Sequence, residues 1–159
     1  MKIILTGGGT GGSVTPLIAL YQELKKIDSD LEVLWIGQYD GVEKRIVEKY
    51  NIPYKGISSG KLRRYFSWQN FIDPFKIIKG WWQAKKIIKE FKADIVLTAG
   101  SFVAVPVARA AKSQKVKLLV HQQDISIGLA NKIMLPWAEY INISLKELDL
   151  KLPEGKKIL

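Results

Sequence analysis

The 159 residues carry 25 Lys and Arg against 15 Asp and Glu, a formal net charge of +10, and 47% of them are hydrophobic. That balance describes one globular domain rather than a disordered chain, and the excess of positive charge calls for an anionic partner or surface. The sequence has no cysteine, which excludes disulfides and thiolate zinc sites, and no uninterrupted apolar run of spanning length. Lys2 is followed by only three apolar residues before Thr6 and the glycines, unlike a secretory leader.

In chain order the pattern alternates between strand and helix. Residues 2–6 (KIILT) predict a short buried strand, and 14–27 a helix with Leu17, Leu20 and Leu24 on one face. Residues 32–37 predict a second strand, 41–50 a helix with Val42, Ile46 and Val47 in register, and 54–57 a weak third strand. Residues 58–72 are expected to form a long loop. Asp73-Pro74 then reads as an N-cap with proline at the first helical position, opening a helix to about Phe91. Strands at 93–100, 116–123 and 140–144 alternate with helices at 103–113 and 127–138, and the tail from Leu150 reads as a linker with one more incipient strand. Continuously apolar strands separated by helices predict an α/β fold, a Rossmann-like parallel sheet with helices on both faces. Ligands of such sheets bind at the carboxyl ends of the strands near the topological switch point. The turns at 7–13, 99–103 and 121–126 are therefore the candidate site.

Five of residues 7–12 are glycine, directly after the first strand. Glycines there allow a sharp turn and close approach to a ligand, and the following helix directs free N–H groups at the turn. Diphosphate is the natural ligand. Gly7-x-Gly9-x-x-Gly12 formally satisfies the dinucleotide fingerprint, but that fingerprint wants an acid at the end of the second strand. Here that strand ends Ile36-Gly37-Gln38 and the nearest acid is Asp40, which weakens a dinucleotide reading without removing it.

GGGTGG followed by Pro16, Leu97-Thr-Ala-Gly-Ser-Phe-Val-Ala-Val-Pro106, and His121-Gln-Gln-Asp-Ile-Ser-Ile-Gly-Leu-Ala-Asn-Lys132 resemble, in order and spacing, two glycine loops and the HEQN…GL.NK segment of the MurG-like transferases. These are GT-B glycosyltransferases with two Rossmann-like domains. They move N-acetylglucosamine from UDP-N-acetylglucosamine to an undecaprenyl-pyrophosphoryl-N-acetylmuramyl-pentapeptide acceptor, with inversion, at the cytoplasmic face of the cell membrane. The resemblance covers the N-terminal half only. It implies an acceptor-binding domain over 1–150, the start of an interdomain linker at 151–159, and a donor-binding C-terminal domain in cis or on a partner chain. No cofactor is expected.

The resemblance places Thr10, Gly11 and Gly12 beside the donor sugar and acceptor diphosphate, and groups Gly9, Gly100, Ser101, His121, Gln123 and Asp124 with them. Several positions depart from the family. Ser13 stands where a histidine is usual, and serine at its ordinary pKa is no general base. Asp124 stands where asparagine is usual and adds a carboxylate at a strand end. Asp124 and Ser13 are the candidate catalytic residues, with Asp124 as the base compensating for Ser13; capping the following helix or binding a hydroxyl is the structural alternative for Asp124. Gln122 replaces a glutamate, and Ser101-Phe102 a Gly-Tyr pair. His121 is the sole histidine and cannot build a metal site alone, so no metal is expected. Asn131 and Lys132 read as helix-surface residues.

Residues 55–92 hold ten Lys or Arg against two acids and half of the aromatics. Ile77, Trp81, Ala84, Ile88 and Phe91 form a core stripe at helical spacing. Phe75, Ile78 and Trp82 fall off that stripe. Arg63, Arg64, Trp68, Phe71, Phe75, Lys79 and Trp82 are the candidate contacts to an anionic membrane surface. A nucleic-acid role is not expected, since the basic residues cluster with apolar ones and no nucleic-acid motif is present. A free dinucleotide-binding domain and a non-catalytic membrane adaptor remain the alternatives to the transferase half.

Overall fold

The computed structural model describes residues 1–60 and 69–144, with side chains of the second segment from Phe75 onward, and the backbone of 157–158. Among the described residues seven strands form one parallel sheet: β1 (Lys2–Thr6), β2 (Glu32–Gln38), β3 (Tyr54–Ile57), β4 (Ile95–Thr98), β5 (Lys117–Gln122), β6 (Tyr140–Ile143) and β7 (Lys157–Ile158). Their order is β3-β2-β1-β4-β5-β6-β7. The chain thus builds outward from β1 in one direction, returns, and builds outward from β4 in the other. The switch point falls between β1 and β4, where Ile3 pairs with Val33 on one side and Ile95 on the other.

Among the described residues five helices cover the sheet: α1 (Thr15–Ile27), α2 (Val42–Glu48), α3 (Gln69–Phe91), α4 (Ala104–Ser113) and α5 (Leu129–Met134). Alternation along each strand sends successive side chains to opposite faces. Ile3, Leu5, Trp35 and Leu97 pack with Val14, Leu17, Ile18 and Val47 on the side of α1 and α2. Ile4, Ile36, Val96, Leu118 and Val120 pack on the other side with Ala84 and Ile88 of α3, the alanines of α4, and Met134 of α5. The expected stripe on α3 is observed from Trp81 onward: Ala84 and Ile88 are buried, and Trp81 and Phe91 lie half-buried against them, while Ile77 borders a surface groove instead of the core.

Three boundaries differ from expectation. Helix α3 begins at Gln69, so Pro74 lies inside it rather than opening it. Proline removes one helical hydrogen bond, and near the N-terminal end the remaining turns carry the helix past it. The helix expected over 127–138 divides into α5 and a 3-10 turn, Leu135–Trp137, because Pro136 has no N–H to continue the α ladder. The fourth strand stops at Thr98 because Gly100 and Ser101 turn the chain with φ of 99° and 103°. The expected incipient strand is present as β7, paired with Tyr140 and Ile141 of β6, while the linker before it lies outside the described residues.

Gly80 interrupts α3, where alanine would favour the helix by about 1 kcal/mol. A Cβ at this position would stand 2.0 Å from the carbonyl oxygen of Ser58, so the glycine admits the backbone of the segment after β3. Gly80→Ala is therefore expected to lower the melting temperature despite its better helix propensity. Thermal unfolding followed by circular dichroism reads that sign.

Candidate functional site

At the carboxyl end of the sheet the three predicted turns meet around a cleft of about 450 Å³. Gly8, Gly9, Thr10, Gly12 and Ser13 form one wall, Ala99 to Val103 the second, and Gln122 to Asp124 the third, with Gln38 and Asn131 at the margins.

The glycine turn is held from several sides. Trp35, fully buried on β2, donates its indole N–H to the carbonyl of Gly7 at 3.2 Å. A Cβ on Gly7 would meet the carbonyl oxygen of Ser13 at 2.6 Å, so the turn can close this tightly only with glycine there. Ser13 Oγ accepts from the N–H of Gly8 and donates to its carbonyl, both at 3.1 Å. Gly9 has φ of 76°. The Gly11 carbonyl accepts from Thr15 Oγ1 at 3.0 Å and the Gly12 carbonyl from Gln123 Nε2 at 2.9 Å. Side chains thus engage the turn's carbonyls, while the amides of Thr10, Gly11 and Gly12 have no partner among the described residues. Such a run of unpaired N–H groups suits an anionic oxygen.

One residue of this site was invisible to the sequence reading. Glu43, on the first turn of α2, is 0% exposed. Its Oε2 accepts from the Gly9 N–H at 3.0 Å and its Oε1 from the Gln38 N–H at 2.8 Å. The Tyr54 hydroxyl shares its single proton between the Gln38 carbonyl at 2.5 Å and Glu43 Oε1 at 3.3 Å. Burial, and then the Glu43 charge, raise the Tyr54 phenol well above its ordinary range, so it remains a donor. The signal lay in the glycines: a Cβ on Gly8, Gly37 or Gly41 would stand 2.3, 2.9 or 2.1 Å from the Glu43 carboxyl group. The Glu43 carboxylate, reaching from α2, lies against the end of β2, where a dinucleotide fold keeps an acid for a ribose. Being enclosed and already bonded to three donors, it is closed to such a ligand, which counts against the dinucleotide alternative.

The third wall is a hydrogen-bonded unit. Gln122, 3% exposed, donates through Nε2 to the carbonyls of Asp124 and Ser126 at 2.8 and 3.2 Å, and its Oε1 accepts from Asn131 Nδ2 at 2.7 Å. Asn131 is 6% exposed and borders the cleft, which corrects its expected place on the helix surface. The asparagine reaches inward because α5 is short and its buried side faces β5. Asp124 is exposed on the lip of the cleft, and no described residue is bonded to its carboxylate. The cap of α5 is Gly128, without a side-chain bond, so Asp124 does not cap that helix.

Two expected site residues fall elsewhere. His121 does not line the cleft. The two-residue period of β5 turns it to the α1 face, where Nδ1 lies 2.7 Å from Asn142 Oδ1 in an apolar groove beside Leu17 and Leu119. Gly11 is exposed and stands outside the cleft lining, because the turn curls into a 3-10 turn at Gly11–Ser13. Ser13 lines the cleft, but its hydroxyl is buried and held by Gly8, which makes it a brace of the turn and not a free nucleophile or base. Ser101 also lines the cleft, its Oγ accepting from the Val103 N–H at 3.3 Å. Among the described residues no group of acids and histidine could hold a metal ion.

Residues 3–143 match the model of the glycosyltransferase family 28 N-terminal domain. The chain belongs to glycosyltransferase family 28. It is 50% identical over 158 residues to the UDP-N-acetylglucosamine--N-acetylmuramyl-(pentapeptide) pyrophosphoryl-undecaprenol N-acetylglucosamine transferase of Lachnospira eligens, and 47% identical to that of Lachnoclostridium phytofermentans. Each alignment covers 99% of this chain and 44% of the relative, so the chain spans less than half the length of these relatives. Among solved structures it resembles Acinetobacter baumannii MurG, with a TM-score of 0.82 and 26% identity over 99% of this chain and 44% of that one. A UDP-GlcNAc 2-epimerase from Methanocaldococcus jannaschii shares the fold at a TM-score of 0.74 and 16% identity, over 100% of this chain and 46% of that one.

This family 28 domain also carries an exposed apolar face. Phe75, Ile78 and Trp82 on α3 are 75%, 53% and 58% exposed, with Lys79 exposed between them. Lys85 Nζ sits 5.4 Å from the Trp82 ring centroid and 5.5 Å from that of Trp81. Beside them a groove between α3 and α4 is bordered by Trp81, Pro106, Arg109 and Trp137. Arg63, Arg64, Trp68 and the Phe71 side chain lie outside the described residues. No described helix is long and apolar enough to cross a membrane.

Ser13→Ala leaves both polar groups of Gly8 unpaired in a buried turn. The expected loss of folding stability is about 1–3 kcal/mol, read by chemical denaturation.

Proposed function

We propose that the chain is the acceptor-binding, membrane-docking half of a transferase that moves N-acetylglucosamine from UDP-N-acetylglucosamine to an undecaprenyl-pyrophosphoryl-N-acetylmuramyl-pentapeptide acceptor. The observation that carries this reading is the set of unpaired amides at Thr10–Gly12, set at the switch point of a family 28 domain whose relatives bear that activity's name. The amides offer donors to diphosphate oxygens, and Gly9, Gly100, Ser101 and Gln123 complete the walls around the sugar. The chain spans 44% of its relatives, so the donor nucleotide's remaining contacts belong to a second domain.

In the transfer step an acceptor sugar hydroxyl attacks the anomeric carbon of N-acetylglucosamine. The bond from that carbon to uridine diphosphate breaks, its electron pair passes to the β-phosphate oxygen, and the hydroxyl proton passes to Asp124. Attack opposite the leaving diphosphate inverts the anomeric centre. Asp124 suits the role because its carboxylate stands on the cleft lip with no described group bonded to it. Docking to the cytoplasmic face of the membrane uses Phe75, Lys79 and Trp82, with Arg63, Arg64, Trp68 and Phe71 from the adjoining segment. Aromatic rings enter the headgroup boundary and the cations meet anionic lipid.

The test is co-sedimentation of the full-length protein with vesicles of fixed anionic lipid content, with and without a polyprenyl-pyrophosphoryl-sugar analogue. The analogue is expected to tighten binding. Gly12→Val should abolish that gain without unfolding the domain, since a Cβ at Gly12 meets only Gln123 Nε2 at 3.6 Å and Thr10 Oγ1 at 3.8 Å. Binding that ignores the analogue in the wild type overturns the diphosphate reading. Trp82→Ala is expected to weaken vesicle binding about tenfold, the equivalent of about 1.4 kcal/mol, at unchanged melting temperature. Asp124→Asn should lower kcat at least 100-fold, at the low end of what a general base supplies. Near-normal turnover in that variant removes Asp124 as the base.

A further inference from the structure

We propose that Glu43 is the positioning residue of the glycine turn, the group that decides which of its amides a diphosphate can use. The inference rests on the reading above for the ligand, and on Glu43's own contacts for the mechanism. A dinucleotide fingerprint offers the amide of its second glycine to the phosphates. Here that amide, Gly9 N–H, is held 3.0 Å from Glu43 Oε2. The acid, reaching from α2, is anchored on its other side by the Gln38 N–H at 2.8 Å and by the Tyr54 hydroxyl, so its carboxylate is fixed against the rigid end of β2.

The space around it is built for this purpose. Gly8 and Gly41 come from separate segments, and a side chain at either would enter the carboxyl group, while one at Gly37 would enter the Tyr54 hydroxyl and crowd Oε1. An ordinary buried carboxylate would be expected to pair with a cation, because an unpaired buried charge is costly. No lysine or arginine is paired with Glu43 among the described residues, and backbone and phenol donors satisfy it instead. By fixing Gly9 at its left-handed φ of 76°, Glu43 sets the course of the chain into Thr10, Gly11 and Gly12, whose amides remain for the ligand. It also puts a negative charge behind Gly9, which turns an anion away from that amide and toward the next three.

Glu43→Gln is nearly isosteric but has only one acceptor oxygen. With that oxygen kept on Gln38 and Tyr54, its NH₂ group faces the Gly9 N–H, donor against donor. The experiment is hydrogen exchange with mass spectrometry on the full-length protein, following the peptide over residues 6–14. Farnesyl pyrophosphate serves as a soluble polyprenyl diphosphate. Without the probe, exchange over 6–14 is expected to accelerate about tenfold in Glu43→Gln, the loss of roughly one hydrogen bond, while β1 and β4 peptides keep wild-type rates. With the probe, wild-type protection of 6–14 is expected to vanish in the variant. In transferase assays at a temperature where the variant is fully folded, kcat/KM should fall about 100-fold, as for a group misplaced by an ångström. A merely structural residue would lower the melting temperature and leave that value alone.

Wild-type exchange over 6–14 in the variant overturns the proposal. So does faster exchange combined with undiminished protection by the probe. If farnesyl pyrophosphate fails to protect even the wild type, the diphosphate reading falls, while the comparison without the probe still decides whether Glu43 holds the turn. Should Glu43→Gln fail to fold, Gly8→Ala displaces the same carboxyl group, its Cβ falling 2.3 Å from Glu43 Cδ, and reads the same exchange.

Discussion

The carboxylate of Glu43 joins three parts of the molecule that are distant in sequence: the turn after β1, the end of β2, and the Tyr54 phenol on β3. Each needs it. Gly9 would otherwise have a free amide on a left-handed residue, and the Gln38 N–H would end its strand without an acceptor. A buried charge is tolerated only where several donors converge, and here they converge because parallel strands end side by side. The same register brings Thr6 beside Ile36 and Thr98, so the first two turns start level with one another. The cleft follows from that alignment.

The other walls depend on the same economy of polar groups. Ser13 binds both polar groups of Gly8, Gln123 crosses the cleft to Gly12, and Gln122 gathers the carbonyls of its own loop. Carbonyl oxygens of Gly8, Gly11 and Gly12 are engaged by side chains, while among the described residues the amides of Thr10, Gly11 and Gly12 are left over. That asymmetry, more than net charge, makes this end of the sheet receptive to an anion.

The proposed docking to a membrane surface has a different physical basis. The α3 stripe of Trp81, Ala84, Ile88 and Phe91 is absorbed by the core, and it leaves Phe75, Ile78 and Trp82 on the opposite side with lysines between them. An exposed apolar face of this kind is the surface that the proposed membrane contact would use. The face lies on a helix of the second layer, while the cleft lies at the strand ends.

Much of this was legible in the sequence by itself. Apolar runs such as KIILT and VLWIG can only be strands buried on both faces, and their alternation with helices leaves a parallel sheet as the solution. The glycine cluster fixed the place of the cleft, because only glycine permits so close a turn between strand and helix. Periodicity likewise separated the buried from the exposed side of α3. Tertiary structure alone decided the rest. Glu43 reads as one more charged residue on an amphipathic helix, since its partners are 34 residues away at Gly9 and 11 away at Tyr54. His121 and Gln122 are neighbours in sequence, yet the pleat sends one behind the sheet and the other under the cleft. Local pattern determines which backbone a segment adopts. Which buried polar group meets which partner is set by long-range register, and no local pattern encodes it.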